Sequence, residues 1–140
     1  MLKLLPILLS VGVLASTPQL QTQELPTTEL LKQNQTIVAL ASEEISKTLP
    51  QLIDAYTVLE EVEGSGTTLI YHFAIDTGAK SDEAVRQEDR RRMEEAVTMG
   101  VCRSAKRFLD AQIKLIYRYK SAKSRARLFE FVITQAKCHQ

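Results

Sequence analysis

Cys102 and Cys138 are the only cysteines in this 140-residue chain, and they stand behind an N-terminus that carries the marks of an export signal. Lys3 precedes an apolar stretch from Leu4 to Leu14, and Val13-Leu14-Ala15 offers a small-residue exit, so cleavage is expected near Ala15 or Ser16. The stretch is too short to span a bilayer and no second apolar run follows it, so the mature form is expected to lack a membrane span. No cysteine near the cleavage site could accept a lipid. In an oxidising compartment two lone cysteines are expected to pair. A Cys102–Cys138 disulfide would tie a helix to the end of the last strand, and any fold for this chain must bring those two points together.

The expected organisation is a signal peptide over residues 1–15, a flexible leader over 16–35 rich in Thr, Gln and Pro, and one domain over 36–140. About 125 mature residues suffice for a single core of modest size. Within the domain Ile37, Leu40, Ala41, Ile45 and Leu49 recur at helical spacing, which predicts a short helix ended by Pro50. The period then falls to two. Tyr56, Val58 and Val62 alternate, Gly64-Ser65-Gly66 supplies a reversal, and Leu69, Tyr71, Phe73 and Ile75 form the returning strand. Ser81 or Asp82 can cap a long helix whose apolar stripe runs from Val85 through Val97 and Val101 to Phe108, with Gly100 as a candidate break. A second hairpin follows, with Ile113 to Tyr119 and Leu128 to Ile133 around a polar turn at 121–124. The expected fold is α+β: a four-stranded antiparallel sheet of two hairpins, a long helix between them, a short N-terminal helix and one disulfide.

Charge is uneven. Residues 24–95 carry fifteen acids against seven bases, and 96–140 carry ten bases against two acids. The two halves are expected to pack together and largely neutralise each other, although such a separation can also steer an acidic partner. The basic residues of the second hairpin, Lys114, Arg118, Lys120, Lys123, Arg125 and Arg127, form a candidate binding surface. Aromatics interleave with them, a combination seen in single-stranded nucleic-acid and anionic-lipid binding. Alternation opposes that reading, because it sends the aromatics to the core and the cations outward, and no nucleic-acid partner is expected. An open edge over residues 127–134 offers a place for another strand.

Catalytic signals are sparse. His72 and His139 have no metal-ligand spacing with each other or with the cysteines, and neither a Gly-x-Ser-x-Gly elbow nor a phosphate loop is present. No cofactor is expected. Glu60-Glu61 is read as a solvated pair, and Glu88/Arg92, Arg90/Glu94 and Arg91/Glu95 as salt bridges on one exposed helix face. Asn34-Gln35-Thr36 is a formal glycosylation sequon, meaningful only in a eukaryotic source. The enzymatic alternative is a thiol-dependent or hydrolytic reaction using Cys102 or His72.

Leu49-Pro50-x-x-Ile53-Asp54-x-x-Thr57-x-Leu59, Tyr71-x-Phe73, Cys102, Phe108, Tyr117-x-Tyr119 and Cys138 follow one another in an order that resembles a group of short exported bacterial proteins of unassigned function. Where that group often has a glycine before the Tyr-x-Tyr strand, this chain has Gln112. More loosely, its size, signal and cysteine bridge are similar to the short pilotins of type II secretion, periplasmic binding modules that are lipoproteins. The resemblance implies a non-enzymatic protein-interaction module, periplasmic or secreted, that binds another envelope or secreted protein. It transfers no catalytic residue. The other non-enzymatic reading is a secreted factor that acts on a host or an anionic surface through the basic hairpin.

Overall fold

Helix α1 (Thr27–Ser46) opens the part of the chain that the computed structural model describes, residues 27–139. The expected signal peptide lies outside the described residues. The helix begins well before residue 36, inside the segment expected to be a flexible leader. No proline or glycine interrupts Thr27–Ser46, and the early turns have tertiary work: Asn34 is 3% exposed, and its Nδ2 donates to the Ala111 carbonyl at 2.7 Å. That buried amide also explains the sequon, whose asparagine is a structural residue. Further along, Val38 is buried and Ile37, Ala41 and Ile45 pack beside it.

Five strands follow in the sheet order β1-β2-β3-β4-β5: β1 (Gln51–Asp54), β2 (Thr57–Ser65), β3 (Thr68–Ile75), β4 (Lys114–Ser121) and β5 (Arg127–Ile133). Both expected hairpins are present, β2 with β3 and β4 with β5. Gly66, at φ +59°, supplies the left-handed residue of the first reversal. Gly64 serves another purpose. A Cβ there would stand 2.8 Å from Val38 Cγ1, so the missing side chain lets α1 cross β2 at close range.

The expected four-stranded antiparallel sheet is corrected in two respects. β1 adds a fifth strand; it is four residues long and exposed on both faces, so it carries no alternation to read. In addition, β3 and β4 pair in parallel, Tyr71 opposite Tyr117 and Phe73 opposite Tyr119. The helical segment between them carries the chain back along the sheet, so β4 enters from the same end as β3.

That segment is three helices, α2 (Asp82–Glu88), α3 (Arg90–Ser104) and α4 (Lys106–Asp110). Ser81 caps α2 as expected, accepting from the Ala84 amide at 3.1 Å. The breaks fall at Asp89 and Ala105, whereas Gly100 lies within α3. Packing decides this, because Val85, Val101 and Leu109 each reach the core from a separate piece. Of the three expected salt bridges, Arg91–Glu95 forms at 3.4 Å. Arg92 instead meets Asp89, Glu94 meets Lys137 at 2.7 Å, Glu88 meets Lys80, and Arg90 lies over the Phe131 ring.

One core holds the layers together. Leu69, Phe73, Leu115, Tyr119, Phe129, Phe131 and Ile133 join the apolar residues of all four helices in a single cluster. These strand residues share one face, because Leu69 aligns with Leu115 and Ile133, and Phe73 with Tyr119 and Phe129. A 3-10 turn (Ala136–His139) ends the described chain and carries Cys138 to Cys102 on α3, with the two Cα atoms 5.6 Å apart.

Candidate functional site

Residues between the core positions point to the opposite face of the sheet. His72 of β3 aligns with Arg118 of β4 and Glu130 of β5, and with Glu61 of β2; one step along, Ala74 aligns with Lys120 and Arg127. Aromatic residues are thus on the core side and cations on the open side, as alternation requires.

Two β-bulges shape this face. In β2, Leu59 and Glu61 oppose Phe73 and His72, leaving Glu60 as the extra residue; in β5, Leu128 is extra between Phe129 and Arg127. Both lie beside the Leu59–Phe73–Tyr119–Phe129 row. A bulge bends its strand and re-aims the side chain. Glu60 is thereby brought to Lys120 Nζ at 3.1 Å and to Arg125, whose two Nη atoms donate to the Glu60 carboxylate at 3.0 and 2.8 Å. Arg125 comes from the β4–β5 turn with φ +65°, its backbone N–H donating to the Ser121 carbonyl.

Glu130 organises the other side. Arg118 Nε donates to it, and Arg127 Nη1 stands 3.7 Å away. The Arg125 hydrogen bonds hold the Glu60 carboxyl below the ordinary glutamate range, and the Arg118 hydrogen bond does the same for Glu130. Between these two sets lies a shallow recess of about 220 Å³ lined by His72, Arg118, Lys120, Arg125 and Arg127.

Four of the six expected surface cations therefore come together. Lys114 does not join them, since it starts β4 at the far end opposite Thr68, and Lys123 sits exposed in the turn. Glu130 is the residue the sequence reading missed, and Glu60, expected to be half of a solvated pair, is instead held by Arg125 and Lys120. For Glu60 a signal was present: the apolar residues Leu59 and Val62 stand three apart, out of step with strict alternation, where the bulge falls.

His72 is a half-buried residue of this face, its Nε2 2.7 Å from Glu63 Oε1. Cys102 is bonded to Cys138 and no free cysteine remains, which removes the reactive-thiol alternative. Among the described residues no group of three or more His, Cys, Asp or Glu could hold a metal, and no helix is long and apolar enough to cross a membrane. A second, broader depression of about 910 Å³ runs past the disulfide between α3 and the final turn, with Met99 exposed on its wall. What the open face can do chemically is recognise charge, through guanidinium and ammonium groups already set in place by two glutamates.

No family model matches the chain, and no curated protein matches it in sequence. Solved structures do match its fold. The type 2 secretion pilotin EpsS of Vibrio vulnificus aligns at a TM-score of 0.67 and 13% identity, over 79% of this chain and 96% of its own. The type II secretion system pilotin AspS of Vibrio cholerae aligns at 0.64 and 13%, over 79% and 97%. A candidate secreted protein of Pseudomonas aeruginosa aligns at 0.66 and 16%, over 78% and 96%. At such identities the likeness establishes the shared fold.

Proposed function

We propose that the chain is an exported, non-enzymatic interaction module of the bacterial envelope, an adaptor of the pilotin kind that binds another envelope or secreted protein. The observation that carries this reading is the fold shared with two type II secretion pilotins over nearly their whole length. The candidate secreted protein of the same fold and the apolar N-terminus support export, with residues 1–15 removed as the signal. The ordered pattern from Leu49-Pro50 to Cys138 supports the same placement. The open sheet face, with Arg118, Lys120, Arg125 and Arg127, is the surface offered to the partner.

The test is made in the source bacterium. Deletion of the gene should leave type II substrates in the periplasm, and the exported protein should have lost about fifteen residues and resist alkylation without reductant. Normal secretion in the deletion strain would sink the adaptor reading. A retained N-terminus would sink the export reading.

A further inference from the structure

The open face as a whole is electrically balanced: Glu60, Glu61, Glu63 and Glu130 stand against Arg118, Lys120, Arg125 and Arg127. A membrane or a polyanion needs a broad cationic field, which this face lacks. Stacking on bases needs exposed aromatics, and Phe73, Tyr119, Phe129 and Phe131 are buried on the other side. The recess is a different matter. Four cations line it, and among the described residues only Glu60 and Glu130 pair with them.

Its donors are also incompletely used. Arg118 hydrogen-bonds Glu130 through Nε alone, so its two Nη groups remain. The Arg127 guanidinium makes no hydrogen bond among the described residues, standing 3.7 Å from Glu130 and 59% exposed. An arginine edge with free N–H groups matches a carboxylate in the same plane. Arg125 already displays that match on Glu60. We infer that this recess is the recognition point for acidic side chains of the partner protein, one or two Asp or Glu carboxylates docking on Arg118 and Arg127 beside Lys120. The inference takes the source of the anion from the adaptor reading, whereas the site itself is defined by this chain's own side chains.

The probe is a tri-glutamate peptide blocked at both ends, titrated into the purified mature protein at low salt and followed by backbone amide shifts. Expected are saturable shifts around His72, Arg118, Lys120 and Arg127, absent with tri-glutamine and weakened by added sodium chloride. Arg127→Gln should weaken binding by about tenfold, the loss of a charged hydrogen bond or two. Lys114→Gln and Lys123→Gln, outside the recess, should leave it unchanged. The Arg127 guanidinium is exposed and free of hydrogen bonds among the described residues, so its replacement leaves the fold intact, and the wild-type shift map needs no variant.

Shifts that never saturate, or an equal loss on Lys114→Gln, would overturn the site. Inorganic phosphate binding at the recess more tightly than the peptide would overturn the carboxylate assignment. If the peptide binds while secretion survives gene deletion, the adaptor reading falls alone. If the peptide fails while secretion is lost, this inference falls alone.

Discussion

Gly64 and Gly100 should respond in opposite directions to the same substitution. At Gly64 an added Cβ would lie 2.8 Å from Val38 Cγ1 and 3.2 Å from both Ser42 Oγ and the Val38 carbonyl oxygen. Two of these atoms belong to a core residue that is 1% exposed, so relief requires α1 to lift from β2. Overpacking of this kind costs about 1–3 kcal/mol. Alanine restricts the unfolded chain and recovers roughly 0.4–1 kcal/mol, leaving Gly64→Ala about 1–2 kcal/mol less stable than the wild type. At Gly100 an added Cβ meets nothing within 4 Å on an exposed helix position, and alanine should stabilise by about 0.5–1 kcal/mol. Urea midpoints read by circular dichroism at constant m-value measure both. The cause at Gly64 is isolated by a double-mutant cycle with Val38→Ala. Removing the methyl groups that the introduced Cβ strikes should make the pair at least about 1 kcal/mol less damaging than the sum of the two changes. A Gly64→Ala protein as stable as the wild type, or a strictly additive cycle, would refute the seating of α1 on β2 at this point.

Replacing both cysteines by alanine opens a loop of 36 residues and should cost about 4 kcal/mol in the chain-entropy treatment, checked by urea unfolding against the oxidised protein. Gln112 holds φ +70° without the glycine that its position favours. Gln112→Gly should gain about 0.5–1 kcal/mol after losing the exposed bond to Gln135, and Gln112→Ala should fall below the wild type, an order that thermal melts can rank. Glu60 and Glu130 have depressed carboxyl pKa values in the folded state, so their contribution is complete above the unfolded glutamate pKa and is lost as pH falls through the folded values. Urea midpoints should hold from neutrality down to about pH 4.3 and decline below it. Glu60→Gln should make that decline shallower, and an unchanged acid limb would contradict the pairing with Arg125.

The features legible in the sequence are those specified by neighbouring residues. Ser81 caps its helix because its hydroxyl lies three residues before the Ala84 amide, and Gly66 turns its hairpin because only local conformation is asked of it. The Tyr-x-Phe and Tyr-x-Tyr runs mark strands with one buried face. Parallel pairing of β3 with β4 depends on where a helical segment of twenty-odd residues returns the chain, which no local pattern encodes. β1 owes its place to pairing with β2 alone. Asn34 reads as leader because its polar side chain is matched by a carbonyl 77 positions away. At the candidate site the cations are legible by type, but their convergence depends on two bulges and on two glutamates brought in from β2 and β5.

The parallel seam also divides the molecule in time. Each hairpin closes a short loop and can register on its own in microseconds, whereas Tyr71 meets Tyr117 only after the whole intervening helical segment has been spanned. The covalent bond falls on one side of that division: running from α3 to the final turn, it encloses β4 and β5 and leaves β2 and β3 outside. Oxidation therefore fastens the second hairpin to α3 and does nothing directly for the first. A reduced chain should shed amide protection first in the half that bears Arg118 and Arg127, ahead of β2 and β3.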